Sequence, residues 1–143
     1  MQKRVVVLSL GGSLIIPDDI DLAFLKKFKK AILSHTRNYK FIIVCGGGSI
    51  ARKYISALRA VGSSEEVQSF SGISATRTNA RFMSYFFRQN PKLGIPHTME
   101  TLKKYLKNQD VVFCGALEYK PKQTSDSTAA QIAAHFGSDF INL

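Results

Sequence analysis

Three consecutive glycines, Gly46–Gly48, follow the short apolar run Phe41–Cys45. Because glycine has no Cβ atom, an anionic ligand can approach the backbone of such a run closely. A helical pattern begins directly after the glycines, and a helix start offers unpaired N–H groups and the positive end of the helix dipole. Arg52 lies one turn into that helix, where its guanidinium can reach the same anion. The segment therefore predicts a binding loop for a phosphate or a sugar.

Two further turns of small residues have the same position relative to a strand. Gly11–Ser13 follow the apolar segment Arg4–Leu10, and Gly115 follows Val111–Cys114. In parallel sheets, ligands bind beyond the carboxyl ends of the strands. We therefore expect the three glycine-containing turns to lie on one edge of the sheet.

The elements that must position these turns alternate between strand and helix along the chain. The predicted strands are Arg4–Leu10, Phe41–Cys45, Val111–Cys114 and Asp139–Leu143. The predicted helices are Leu22–Ser34, Ser49–Val61, Ala75–Arg88, Met99–Leu106 and one that starts in the cap cluster Thr124–Ser127 and ends near Phe136. The segment 65–70 reads as a short helix or a lid, and 71–74 as a turn. Continuous apolar strands between helices predict an α/β fold: a three-layer αβα sandwich with a mostly parallel central sheet.

The composition narrows the class of protein. The 143 residues suit one domain, and their net charge of +10 comes mostly from lysines spaced as on solvated helix faces. No zinc spacing or RNA-binding aromatic signature is present, so we expect no nucleic-acid partner. No apolar run is long enough for a membrane span. Cys45 and Cys114 each end an apolar run, which favours buried thiols in a reducing cytoplasm over a disulfide.

The remaining candidate residues have plain structural interpretations. His35, His97 and His135 are scattered, and none has a partner at metal-ligand spacing, so we expect surface or core histidines and no metal ligands. An aromatic cluster lies at helical spacing and is typical of a core or a subunit interface. Its members are Phe82, Tyr85, Phe86 and Phe87.

Four segments, in this order, resemble the amino acid kinase superfamily and, within it, the UMP kinases of the archaeal type. Val7–Ser13 looks like the opening phosphate loop, and Cys45–Tyr54 looks like the second glycine loop. Gly72–Ala80 looks like the segment that separates UMP kinases from their relatives, and Thr124–Ala130 resembles the polar start of a central helix.

The resemblance implies transfer of the γ-phosphoryl group of ATP to UMP, with Mg²⁺ as the second cofactor. Phosphoryl transfer depends on positioning and charge neutralisation, which glycine-loop amides and helix starts supply. The residues implied at the ATP phosphates are Ser9, Leu10, Gly11, Gly12 and Ser13. The residues implied beside the transferred phosphoryl are Gly48 and the catalytic Arg52, with Asp126 orienting a cation or the metal. The residues implied at UMP are Gly47, Ser69, Gly72, Thr76, Asn79, Gly115, Thr124 and Ser125.

Two positions depart from the family pattern. Ser9 stands where many members carry a lysine, so Arg52 or Lys53 would supply the missing charge. Ser69 stands where the family tends to place an aspartate on the uridine ribose. Structural alternatives also stay open: Gly11 and Gly12 as a tight turn, Arg52 as a surface residue, and the polar pairs 76/79 and 125/126 as helix caps.

The resemblance further implies that residues 1–143 are the N-terminal, acceptor-binding part of a kinase domain. Family members continue beyond the strand Asp139–Leu143 with the half that binds the adenine and ribose of ATP, so we expect an isolated chain to be weakly active or inactive. A homo-oligomer, a hexamer in the family, is implied as well. The alternatives are another small-molecule kinase of the superfamily and a non-catalytic module that binds UMP or UTP.

Overall fold

A computed structural model describes residues 2–121 and 123–143, and within them strands and helices alternate as the sequence predicts. The strands are β1 Arg4–Leu10, β2 Tyr39–Cys45, β3 Val111–Cys114 and β4 Asp139–Asn142. The helices are α1 Gly12–Ile15, α2 Leu22–Ser34, α3 Gly48–Ala60, α4 Glu65–Phe86, α5 Met99–Asn108 and α6 Ser125–Phe136. None of the helices in these residues is both long and apolar enough to cross a membrane.

The four strands form one parallel sheet in the order β3-β2-β1-β4. The register places Val6 of β1 opposite Phe41 of β2 on one side and opposite Asp139 of β4 on the other. Each pair of consecutive strands is connected by at least one helix, as parallel pairing requires. All carboxyl ends lie on the same edge, as expected.

Helices cover both faces of the sheet. On one face, α2 and α4 bury Phe28 and Met83 against Leu8 and Ile43. On the other face, α5 and α6 bury Leu102 and Ile132 against the opposite side of the strands. The two apolar cores, one on each face, confirm the predicted three-layer α/β sandwich. Burial of such side chains contributes about 1.5–3 kcal/mol each to folding.

Helix α4 corrects one prediction. The turn expected at 71–74 is wrong, because α4 runs without interruption from Glu65 to Phe86. Gly72 lies inside this helix, where an added Cβ would come within 3.3 Å of Ile55 Cδ1 on α3. The small residue serves close packing of two helices, and this packing outweighs its low helix propensity. Ser64 caps the helix by accepting a hydrogen bond from Val67 N at 3.3 Å.

The aromatic cluster at the end of α4 divides between core and surface. Phe87 is buried, with its ring 6.3 Å from Phe28 and 4.7 Å from Phe113 between centroids. Phe87 therefore belongs to the core and is not available to a subunit interface. Phe82 and Phe86 pack partly against the same core, and Tyr85 is the exposed member.

Cys45 and Cys114 are free and fully buried, as expected. Their side chains belong to the cores on opposite faces of the sheet, which rules out a disulfide between them. Burial raises the pKa of the Cys45 thiol, with a smaller contribution from Cys114, and burial raises the pKa of Cys114 to about 12. Both thiols are therefore protonated and inert near neutral pH.

Strand β4 is the exposed edge of the sheet. Phe140 and Ile141 remain about two-fifths exposed. Phe140, paired with Val7, lies on the face that packs against α6, and Ile141, paired with Leu8, lies on the face that packs against α2. A groove of about 390 Å³ lies there, lined in part by Ile141, Leu8 and Ile32.

Candidate functional site

The loops after β1 and β2 touch through their glycines. An added Cβ on Gly12 would lie 2.1 Å from Gly48 N, and one on Gly46 would lie 2.8 Å from Gly12 N. Gly48 has φ +64°, a left-handed conformation that favours glycine. Gly46 N also donates a 2.9 Å hydrogen bond to the carbonyl of Leu10. The shared edge predicted for these turns therefore exists, and backbone contact holds the two loops together.

The residues predicted at the first loop occupy different environments. Ser9 is buried, and the side chain of Leu10 lies in the apolar core. Gly12 begins the short helix α1, so the segment is a helix start where a plain turn was expected. Gly11 is half-buried and Ser13 is exposed at the surface of the loop. Gly11 and Ser13 are thus the residues of this segment that a ligand can reach from outside.

A short hydrogen bond connects this loop to helix α6. Ser9 Oγ donates to Asp126 Oδ1 at 2.6 Å, although the two residues are far apart in sequence. Asp126 lies in the first turn of α6, where a carboxylate is favourable to the helix dipole. The carboxylate is therefore held at the carboxyl end of β1, beside the glycine loops.

The cap of α6 is a reciprocal pair. Thr124 Oγ1 accepts a hydrogen bond from Ser127 N at 3.1 Å, and Ser127 Oγ accepts one from Thr124 N at 2.8 Å. This capping box contributes about 0.5–2 kcal/mol to the stability of the helix end. The cap alternative therefore applies to Thr124, whereas Ser125 and Asp126 are left for other contacts.

A cavity of about 220 Å³ opens between α3, α4 and the loop after β3. Six residues expected at the acceptor line it: Gly47, Ser69, Gly72, Thr76, Thr124 and Ser125. The lining also includes residues that the sequence analysis did not single out: Ala51, Ile55, Ile73, Ala116, Glu118, Tyr119, Lys120 and Gln123. Their only sequence signal was a position in the predicted polar loop or on the helices beside the glycines.

An aromatic contact closes one side of the cavity. The rings of Phe70 and Tyr119 lie 5.0 Å apart between centroids, which joins the first turns of α4 to the loop after β3. Such a pair contributes about 0.5–1.5 kcal/mol beyond the area it buries. Tyr119 itself lines the cavity, so an aromatic side chain is part of its wall.

Two predicted acceptor residues do not line the cavity but support its walls. Asn79 is buried, and its Nδ2 donates to the carbonyls of Gly46 at 2.8 Å and Gly47 at 3.3 Å. Gly115 lies so close to α4 that an added Cβ would be 2.5 Å from Thr76 Oγ1. Both residues thus hold loops against α4, and the cap alternative for Asn79 does not apply.

Arg52 lies outside the cavity. It is exposed on α3 and lines a shallow groove with Ser49 and Lys53. Its position one turn after Gly48 keeps it near the glycine loops in sequence, but the structure does not bring it together with the cavity residues. Among the described residues, no group of three or more His, Cys, Asp or Glu side chains can hold a metal ion.

The arrangement can bind an anion and a small polar ligand side by side. Backbone amides at the glycine loops and the start of the 13-residue helix α3 favour negative charge. The adjoining cavity has hydroxyls, a carboxylate and an aromatic ring in its wall.

Comparison with known proteins gives matches along nearly the whole chain. The model of the "Amino acid kinase family" matches residues 4–143. Uridylate kinase of Thermoplasma volcanium is 38% identical over 140 residues, which cover 96% of this chain and 60% of the relative. Uridylate kinase of Methanosarcina mazei is 32% identical, with coverage of 96% and 58%.

A solved structure matches in fold as well as in sequence. The crystal structure of uridylate kinase from Archaeoglobus fulgidus superposes with a TM-score of 0.82 at 34% identity. The match covers 96% of this chain and 61% of that one. The chain thus spans about three-fifths of the length of the relatives that it resembles.

Proposed function

The chain belongs to the amino acid kinase family, and on that basis we propose that it forms the acceptor-binding part of a UMP kinase. The reaction is transfer of the γ-phosphoryl group of ATP to UMP, which gives UDP. The proposal has sequence support from relatives named uridylate kinase that are more than 30% identical. Residues 1–143 would then carry the acceptor site, and the adenine and ribose of ATP would bind to the part that the longer relatives possess.

One observation carries the proposal: the cavity directly adjoins the glycine loops. Gly47 belongs to the second glycine loop and also lines the cavity, so a ligand there has its phosphate end beside the backbone amides. Ser125 offers a hydroxyl to a sugar or a base, whereas the hydroxyls of Thr76 and Thr124 line the cavity and bond within the protein. Tyr119 offers a ring face to a pyrimidine. A nucleoside monophosphate has each of these chemical parts in the same order.

The ATP phosphates and Mg²⁺ fit the same edge. Gly11 has room, because an added Cβ would meet only the carbonyl of Leu143 at 3.5 Å, so a phosphate can approach its backbone. Asp126 is the carboxylate at this edge, and Mg²⁺ is commonly held by one or two carboxylates together with substrate phosphates. When bound, Mg²⁺ neutralises charge that develops on the phosphoryl group. Asp126 would hold it, and Ser9 would fix the orientation of Asp126.

The expectations about assembly and location extend the same proposal. A homo-oligomer fits the family, and the exposed ring of Tyr85 is available to such an interface. Two buried, protonated thiols are compatible with a cytoplasmic protein. We expect residues 1–143 alone to bind UMP and to turn it over slowly or not at all.

A non-catalytic module for UMP or UTP is the second candidate. Ser9 supports it, because the hydroxyl that replaces the family's lysine donates to Asp126 and carries no charge towards a phosphoryl group. Arg52 is exposed and outside the cavity, so it does not restore that charge in this arrangement. The two candidates share the binding step and differ in turnover.

A calorimetric titration with UMP tests the binding step, with CMP, AMP and inorganic phosphate as comparison ligands. Ser69→Phe places a ring in the cavity and should abolish UMP binding. Ser74→Phe is the matched control, because Ser74 is exposed on the same helix outside the cavity. Failure of a cooperatively folded chain to bind UMP, or equal binding by Ser69→Phe, would contradict the proposal.

An assay of UDP formation from ATP separates the two candidates. It should be made on residues 1–143 and on a chain extended with the C-terminal segment of a uridylate kinase relative. Turnover by the extended chain supports the kinase. Selective UMP binding without turnover in either form favours the non-catalytic module.

A further inference from the structure

The first part of the loop after β3 forms one wall of the cavity. We call residues 115–121 the wall loop, and four of its members line the cavity: Ala116, Glu118, Tyr119 and Lys120. The wall loop contains no helix or strand, so its position depends on contacts with other elements. Helix α4 supplies such contacts at two places: the Phe70–Tyr119 ring pair near its start, and the turn that contains Thr76 and Arg77.

Three hydrogen bonds join that turn of α4 to the wall loop. Ala116 N donates to Thr76 Oγ1 at 3.0 Å. Arg77 Nε donates to the carbonyl of Ala116 at 3.1 Å, and Arg77 Nη2 donates to the carbonyl of Leu117. The guanidinium therefore binds two consecutive carbonyls directly before the cavity-lining residues 118–120. Gly115 permits the close approach, because any side chain there would collide with the Arg77 backbone.

The charge of Arg77 is not used in an ion pair. None of the salt bridges among residues 2–121 and 123–143 includes it. Burial lowers the pKa of Arg77, and the nearby Arg81 lowers it further. A half-buried cation without a carboxylate is unfavourable unless its N–H groups are satisfied. Here the carbonyls of Ala116 and Leu117 accept hydrogen bonds from these N–H groups. The contact with the loop therefore explains why an arginine is accommodated at this position.

The geometry also requires the planar fork of arginine. Nε and Nη2 lie on one edge of the guanidinium and reach two carbonyls at once. A lysine ammonium is a compact point charge on a flexible stem and does not reproduce this paired contact. The substitution Arg77→Lys therefore keeps the charge while it removes the two-carbonyl clamp.

We propose that Arg77 is a positioning residue, which fixes the wall loop against α4 and so sets the wall of the acceptor cavity. The residue does not line the cavity itself and acts through the backbone carbonyls of Ala116 and Leu117. The part of this inference that concerns UMP rests on the proposed function. The part that concerns the loop stands on the hydrogen bonds alone.

Hydrogen exchange and UMP titration on Arg77→Lys test the proposal. We expect exchange of the wall-loop amides to rise roughly tenfold or more, because hydrogen bonds to a charged donor are among the stronger ones. Amides of β2 should exchange as in the unchanged chain. UMP affinity should fall by a similar factor. Arg81→Lys is the matched control, with the same substitution one turn later on α4 at an exposed residue, and it should change neither readout.

Each other result contradicts the proposal. Unchanged wall-loop exchange in Arg77→Lys would show that the clamp does not fix the loop. An equal rise in the wall loop and β2 would show general destabilisation instead of local positioning. A loosened loop with unchanged UMP affinity would separate the loop from the acceptor wall. If the unchanged chain binds no UMP, the proposed function fails, and loop exchange still decides whether Arg77 fixes the loop.

Discussion

At the scale of single residues, the buried amide of Asn79 joins helix α4 to the glycine loop after β2. Its Nδ2 donates to the carbonyls of Gly46 and Gly47, which lie at the end of a strand and have no ladder partner there. A loop that binds an anion must present its N–H groups outward, so its carbonyls need partners within the protein. Asn79, on helix α4, donates the hydrogen bonds that these carbonyls accept.

Asn79→Ala removes the donor to the buried carbonyl of Gly46 and one of two donors to the carbonyl of Gly47, which also accepts from Ala51 N at 3.4 Å. We expect the free energy of unfolding to fall by about 1–3 kcal/mol, the range for leaving such groups unsatisfied. UMP affinity should fall with it, because the loop loses its support. Denaturant unfolding and calorimetry measure the two effects. Thr78→Ala is the control, since Thr78 is exposed and bonds only within its own helix at the carbonyl of Ser74.

His97 gives the chain a dependence on pH. Partial burial lowers its pKa, and Arg77 and Arg81 lower it further. The unfolded chain therefore takes up this proton at a higher pH than the folded chain does. Stability contributed by His97 is present above the unfolded pKa and is lost as pH falls from there through the lower folded pKa.

His97→Gln should remove that part of the pH dependence. We expect the difference in melting temperature between neutral and mildly acidic buffer to be smaller in His97→Gln than in the unchanged chain. His135→Gln provides the comparison, because His135 is exposed on α6 and distant in sequence from this arginine pair. An identical pH profile in His97→Gln and the unchanged chain would contradict the assignment.

At the scale of elements, helix α4 contacts both the loop after β2 and the loop after β3. Asn79 contacts the loop after β2, while Thr76 and Arg77 contact the loop after β3. The spacing of these residues places all three contacts within little more than one turn. The separation of the two loops is therefore set by the geometry of a helix, which deforms little.

The sequence predicted the strands of this fold well, but it did not predict that α4 continues through residues 71–74. Continuous apolar runs such as Val5–Leu10 allow few other structures when helical patterns flank them. Gly72 was interpreted as part of a turn because local propensity favours one, and its packing against Ile55 is a long-range contact that propensity does not contain.

The candidate site was predictable in outline for a similar reason. Parallel strands end at one edge, so the glycine turns had to meet there. The sequence did not reveal that Asn79 donates hydrogen bonds to the loop after β2, nor that Tyr119 lines the cavity. Both depend on which side of an element a residue occupies after distant segments pack together.

Gly12→Ala tests the contact between the glycine loops. The added Cβ would lie 2.1 Å from Gly48 N and 2.7 Å from Gly47 C, so the backbone must move. We expect a loss of about 1–3 kcal/mol in the free energy of unfolding, typical of overpacking. Gly11→Ala is the matched control, because its Cβ would meet only an ordinary contact at 3.5 Å. Equal stability of the two variants would contradict the packing described for these loops.

At the scale of the whole molecule, the two ends of the sheet differ. The β3 end carries the wall loop and the cavity, whereas the β4 end presents an unpaired edge with apolar side chains. An exposed apolar edge strand is a template for association with another chain. The chain spans about three-fifths of the length of the relatives that it matches.

Ile141→Lys should reduce self-association of the chain. Ile141 lies on β4 beside the apolar groove, and lysine is a residue that protects natural sheet edges. We expect a lower apparent mass in sedimentation at high concentration and a change in unfolding free energy of no more than about 1 kcal/mol. Val61→Lys, a similar change at a well-exposed residue after α3, should leave the sedimentation unchanged. Equal association of both variants would contradict a role for the β4 edge.

The strand order also determines when neighbouring strands of the sheet become available to pair during translation. Among the described strands, β1 leaves the ribosome before the others and its neighbour β2 follows, but its other neighbour, β4, comes last. At roughly 5–20 residues per second, the nascent chain therefore spends several seconds with an apolar central strand open along one side. Chaperone capture during translation is expected to matter more for this topology than for a sheet whose neighbouring strands are made consecutively.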